Sequence, residues 1–173
     1  PNVACVASFH FMQPELDSIW PLYQKMKTLN AAHIKIATPV ESSVALLEKL
    51  IEFRTAHEPI ILIGQGPLGS FGRILAPYFE HAFTFASLDD TKETSIGQLS
   101  VSELLDTYHF DKISPRTTLF SLIGHPVSHS QGPHWHNAYF RAQKIDALYI
   151  ALSVQPEELA HFITLARSLP FSG

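Results

Sequence analysis

A lysine stands between two isoleucines in His33-Ile34-Lys35-Ile36-Ala37. The alternation has the period of two that a strand requires, so the isoleucines share one face and Lys35 takes the other. If a helix covers the isoleucines, the opposite face of a closed parallel barrel is its interior. An amine held there is partly desolvated, which lowers its pKa and leaves a nucleophilic free base near neutral pH. That is the chemistry of a Schiff-base lysine. The same pattern also fits a lysine on a solvated edge strand, where it discourages aggregation.

Other residues could do chemistry beside it. His10 follows an apolar strand-like run, and an imidazole with an ordinary pKa of ~6.5 both accepts and returns a proton near pH 7; taken alone, it fits a solvated loop better. Arg73 comes one helical turn after a glycine-rich turn, where a guanidinium could clamp a carboxylate in bidentate fashion or simply be solvated. Gly64-Gln65-Gly66-Pro67-Leu68-Gly69 fits the dinucleotide-binding pattern G-x-G-x-x-G, and Asp89 follows where a ribose-binding acid would be wanted. Pro67 removes one amide from that loop, so a βα turn without any ligand accounts for it as well. His125, His129, His134 and His136 invite a zinc reading, yet no spacing among them matches a metal motif, and no metal site is expected.

These residues need elements to position them. Strand signals over Val3 to Phe9, His33 to Thr38, Pro59 to Ile63 and Ala82 to Leu88 alternate with helix signals. The helices span roughly Pro14 to Leu29, with Pro21 a kink or a late start, then Glu41 to His57, Gly69 to Phe79, and Ser100 to Phe110. Ser100 with Glu103 three residues later reads as a capping box. Four βα units with short connections imply a parallel sheet. Asp111-Lys112-Ile113-Ser114-Pro115-Arg116 breaks the rhythm. A second pattern follows: strand Thr118 to Ile123, a His-rich loop, helix Trp135 to Gln143, strand Ala147 to Val154, helix Pro156 to Leu169.

With 173 residues, 46% apolar and 16% charged, the chain suits one globular domain or slightly more. The net charge of −4, without a basic run, gives no reason to expect a nucleic-acid partner. The single Cys5 points to a reducing compartment. No apolar stretch approaches the ~18 residues of a membrane span. Pro1-Asn2-Val3-Ala4 is neither an initiator methionine nor a signal peptide, so we expect a chain cut from something longer.

Ser8-Phe9-His10, Lys35-Ile36-Ala37, Gly66-x-x-Gly69-x-x-Gly72-Arg73, and Phe85-Ala86-Ser87 through Gly97-Gln98 resemble, in order and spacing, the type I 3-dehydroquinate dehydratases. The resemblance spans Val3 to Phe110 and implies a TIM barrel whose lysine forms an imine with the substrate ketone. By position Lys35 would be that lysine. His10 would be the general acid–base that removes the C2 proton and assists loss of hydroxide and imine hydrolysis. Arg73 would bind the carboxylate, and Gln98 with Thr94 would contact substrate hydroxyls. Thr94 stands where serine is usual, Ile96 where proline is, and Gly72 where a serine neighbours the arginine.

Gly124-His125-Pro126-Val127-Ser128-His129-Ser130-Gln131-Gly132-Pro133, with His136-Asn137-Ala138-Tyr139-Phe140, resembles the start of the shikimate dehydrogenases. There a serine hydroxyl holds the shikimate carboxylate, and Ser130 matches it. A second serine of that motif is Gly132 here, for which Ser128 could compensate. The likeness stops before the segment carrying that family's catalytic lysine and before its NADP domain, so no cofactor-binding residue is expected in this chain.

The two resemblances together imply an α/β chain: a parallel TIM-barrel portion over 1–110, a linker over 111–117, and the beginning of an open-sheet substrate domain over 118–173. The expected parent is a bifunctional shikimate-pathway enzyme, cytoplasmic, or plastidic in a plant. It would dehydrate 3-dehydroquinate to 3-dehydroshikimate without a cofactor, then reduce that product to shikimate with NADPH. The isolated chain is expected to be inactive or nearly so, because half a barrel leaves unfilled interior and bare edges. Two other readings stay open: a nucleotide-binding module on Gly64 to Gly69, and a scaffold fragment in which the motifs are idle.

Overall fold

The computed structural model describes residues 4–88 and 97–173. Its first sheet is built from β1 (Val6–His10), β2 (His33–Pro39) and β3 (Ile61–Gln65), all parallel, in that spatial order. Crossovers supply α1 (Ile19–Lys27) and α2 (Ser43–Thr55), as parallel neighbours require. Pro21 is the third residue of α1, where its missing N–H costs nothing, so the helix starts late instead of kinking. Ser42 begins α2: its hydroxyl accepts the N–H of Ala45 at 3.0 Å.

The period-two alternation sorts the sheet into two faces. Ile34 and Ile36 of β2 and Leu62 of β3 lie in the large apolar cluster with α1 and α2. Ala37, Ile61 and Ile63 form a separate small cluster with Phe83 on the opposite face. Lys35 alternates with the two isoleucines and shares that second face. Burying a Leu, Ile or Phe side chain is worth about 1.5–3 kcal/mol, so a one-residue slip of β2 would carry a large penalty.

Three expectations are corrected. Ala82 to Leu88 is not a fourth strand beside β3: it makes a single parallel bridge, Ser87 with Ser100. The amide of Ser87 donates to Leu99 at 3.0 Å and its carbonyl accepts from Val101 at 2.9 Å. Ser87 thus satisfies its backbone on residues 99–101, while Phe83 and Phe85 stack edge to face 5.6 Å apart. The helix expected over Gly69 to Phe79 shrinks to α3 (Phe71–Ile74) and continues as turns. Pro77 explains the stop, because it lacks an amide and disfavours helical geometry at Ala76. Ser100 does cap the next element, accepting the N–H of Glu103 at 3.1 Å, but the turn over Glu103–Thr107 is π-helical.

The second portion pairs β4 (Thr118–Gly124) with β5 (Ala147–Ser153) in parallel, joined by α4 (Gly132–Ala142) and followed by α5 (Leu159–Ala166). Leu119 also bridges Phe171. Its buried Leu119, Leu148, Ile150, Leu152 and Phe162 belong to the same apolar cluster as α2. That shared core explains why α2 is apolar around so much of its circumference. It packs against α3 on one side and against α5 and β5 on another.

Candidate active site

Register places the chemistry. Ser8 of β1 is the pairing partner of Lys35, and His10 lies one pleat further on the same face. The Nζ of Lys35 is 2.5 Å from Nε2 of His10 and 3.3 Å from the hydroxyl of Ser8. Its ammonium position also stands 4.9 Å from the centre of the Phe85 ring. Burial strips water from Lys35 and the nearby Arg73 charge opposes the ammonium form, so both causes lower its pKa. Partial burial and then the charge of Lys35 lower the pKa of His10 as well. A neutral imidazole beside a deprotonation-prone amine is an acid–base and nucleophile pair.

Arg73 is only 2% exposed. One terminal nitrogen donates to the carbonyls of Gly64 at 2.8 Å and Gly97 at 3.3 Å. Its Nε is buried and has no hydrogen-bond partner among the described residues. A guanidinium so placed is fixed by backbone and brings a buried positive charge to the lysine's side of the sheet.

The glycine-rich turn is built for packing. A Cβ on Gly69 would come within 2.5 Å of the Gly64 backbone, and one on Gly64 within 2.9 Å of the Gly69 Cα. Gly97, at φ +74°, presses its α-carbon against the Gly66 carbonyl, so a side chain there would collide. The turn's carbonyls face residue 97 and the arginine, so packing accounts for these glycines.

Gln98 is buried, and it lines a cavity of about 880 Å³ together with Ser128 and Ser130. The structure therefore brings His10, Lys35 and Arg73 into one electrostatic neighbourhood and sets Gln98 with the two serines. Thr94 and Asp89 lie outside the described residues. In the second loop, Ser130 accepts the N–H of Gly132 at 3.1 Å, leaving its own hydrogen to donate. A Cβ on Gly132 would come within 2.9 Å of the Tyr149 ring, so the missing second serine is matched by a ring in its space. Among the four histidines, His125 meets the Ser153 hydroxyl at 2.8 Å and His136 stacks on Tyr149 at 4.3 Å.

Sequence reasoning gave Ser8 and Phe85 no role, although both touch the lysine's head group. The signal was available for Ser8: a two-residue spacing to His10 puts both on one strand face.

Comparison with known proteins gives two family likenesses. The family model for shikimate dehydrogenase substrate binding domain matches residues 122–173. The chain is 31% identical over 97% of its length to the bifunctional 3-dehydroquinate dehydratase/shikimate dehydrogenase, chloroplastic, of Arabidopsis thaliana, covering 28% of that protein. It is 48% identical over 61 residues, 35% of this chain and 22% of the relative, to the shikimate dehydrogenase (NADP(+)) of Dictyoglomus thermophilum. The type I 3-dehydroquinate dehydratase structure from Clostridium difficile, solved with covalent modified comenic acid, superposes with a TM-score of 0.50 at 27% identity, over 59% of this chain and 42% of that one. The chain thus spans about a third or less of the curated relatives described. No helix among the described residues is long and apolar enough to cross a membrane. With residues 1–115 matched by the family model for type I 3-dehydroquinase, and the lysine–histidine pair lying within them, this chain belongs to the type I 3-dehydroquinase family and continues into the start of a shikimate dehydrogenase substrate-binding domain.

Proposed function

We propose that the protein dehydrates 3-dehydroquinate to 3-dehydroshikimate through an imine on Lys35, and that its second portion serves reduction of that product to shikimate. The observation that carries this reading is the 2.5 Å contact between Lys35 and His10. The free amine adds to the substrate ketone and water leaves, giving a protonated imine. That iminium withdraws electrons from the adjacent C2–H bond, and His10 takes the proton as the electron pair moves toward nitrogen. The resulting enamine expels the β-hydroxyl, which departs as water with the proton His10 holds. Water then hydrolyses the imine and returns the free amine. Arg73 supplies its positive charge to the substrate carboxylate, while Gln98 and Thr94 serve the hydroxyls.

Residues 1–110 would form the dehydratase portion, 111–117 the linker and 118–173 the dehydrogenase portion. Ser130, with Ser128 as a weaker partner, would hold the shikimate carboxylate. The hydride would come from NADPH, as the name of the Dictyoglomus relative suggests. In this reading the chain's part in that reduction is to bind and orient the substrate. A plastidic setting, if the source is a plant, suits the likeness to the chloroplastic relative.

Borohydride reduction in the presence of 3-dehydroquinate tests the reading, using the protein as its source makes it. The expected result is a stable adduct on the peptide carrying Lys35, lost in Lys35→Ala. An adduct elsewhere, or full dehydratase activity in Lys35→Ala, would reject it. A protein that binds neither dehydroquinate nor shikimate would be the idle scaffold instead.

A further inference from the structure

The 2.5 Å contact poses a conflict for the imine mechanism, on which this inference rests. A neutral lysine amine has two N–H donors and one lone pair. In the tautomer that lets His10 act as base, Nε2 carries the imidazole lone pair, and the short contact then places an amine N–H on it. That lone pair is also the one that must take the proton from substrate carbon. Once the amine has added to the ketone and water has left, the iminium nitrogen keeps one N–H. If that hydrogen stayed on His10, the base would be occupied when it is needed.

A second acceptor is already in place. Ser8 is the register partner of Lys35, and its hydroxyl oxygen lies 3.3 Å from Nζ. We propose that Ser8 is a third catalytic group, which accepts the iminium N–H of Lys35 and so frees the His10 lone pair for the carbon proton. No proton changes hands at Ser8: its oxygen accepts a hydrogen bond while the electron pair of the C2–H bond moves toward the iminium and the proton goes to His10. The same bond fixes the amine before reaction. With one N–H on Ser8 and the other on His10, the nitrogen lone pair has a single direction left, toward an incoming carbonyl. The ring of Phe85 sits beside the nitrogen at 4.9 Å but offers no lone pair, so it cannot take over this task.

The test compares wild type, Ser8→Ala, Ser8→Thr and Ser8→Cys in the protein as its source makes it, with 3-dehydroquinate deuterated at C2. Wild-type borohydride trapping on Lys35 is the control for the mechanism; if it fails, the imine reading falls whatever Ser8 does. With trapping established, loss of a hydrogen bond to a charged group should lower kcat about tenfold or more in Ser8→Ala, with KM within about twofold. The deuterium isotope effect on kcat should rise, because carbon deprotonation becomes slower relative to other steps. Threonine keeps the oxygen and should restore both values, whereas the weakly accepting thiol of cysteine should not. If Ser8→Ala does not fold, the threonine–cysteine contrast decides alone. An alanine variant with wild-type kcat and isotope effect, or threonine and cysteine variants that behave alike, would overturn the proposal.

Discussion

Ser42 and Glu158 cap two helices at once from opposite portions of the chain. The Ser42 hydroxyl accepts the Ala45 amide at the start of α2 and donates its own hydrogen to one oxygen of the Glu158 carboxylate. The other oxygen of Glu158 accepts the Gln155 amide at 3.1 Å, closing the turn that leads into α5. One polar bridge therefore ties the start of α2 to the turn that leads into α5.

Mutation of that bridge should discriminate it from an ordinary cap. Ser42→Ala removes a helix cap, which costs about 1 kcal/mol, and strips a donor from a charged oxygen. At an isolated helix aspartate caps as well as serine. Here an aspartate would face the Glu158 carboxylate, so Ser42→Asp should be less stable than Ser42→Ala. Denaturant midpoints of the two variants check this, and an aspartate variant as stable as wild type would contradict it.

Lys35 should trade stability for reactivity in a pH-dependent way. Its folded-state pKa is lowered, first by burial and then by Arg73, so the unfolded chain binds the proton more readily. Below the folded pKa both states are charged and the full penalty opposes folding. The penalty shrinks as pH rises through the folded pKa and disappears above the ordinary lysine value of about 10.4. Lys35→Met carries no such penalty. The methionine variant should melt higher than wild type near pH 7, with the gap closing toward pH 10.5, while imine trapping is lost. Thermal melts across pH read the difference, and a gap that widens with pH would show that the sign is wrong.

Much of this site was legible in the sequence because its geometry is set by strand periodicity. Ile34, Lys35 and Ile36 alternate, and that alone assigned the lysine to the face away from α2. The fourth strand was not legible. Ala82 to Leu88 has the composition of a strand, but composition does not name a partner, and Ser87 pairs with Ser100 in place of β3. The role of the glycine-rich turn was ambiguous for a related reason. Gly64 and Gly69 satisfy a phosphate-loop pattern, whereas their real constraint is mutual contact and the approach of Gly97 from far along the chain. The Arg73 donors belong in the same class: the Gly64 and Gly97 carbonyls that hold it come together only in the folded chain.

The second loop allows a prediction that separates its two serines. Ser130 is half-buried, and its oxygen is fixed by the Gly132 amide at 3.1 Å, which leaves one O–H able to donate in a set direction. Ser128 is exposed on the same cavity wall. A fixed donor aimed at a carboxylate is worth more than a mobile one, because less side-chain freedom is lost on binding. A hydrogen bond to a charged group contributes about 1.5–3 kcal/mol, so Ser130→Ala should raise KM for shikimate about tenfold or more. Ser128→Ala should change it by less than about threefold, a surface-polar effect of under about 0.7 kcal/mol. Initial-rate measurements of shikimate oxidation by the protein as its source makes it give both values. Equal effects at the two positions would mean that the Gly132 amide does not preorganise Ser130 for the carboxylate.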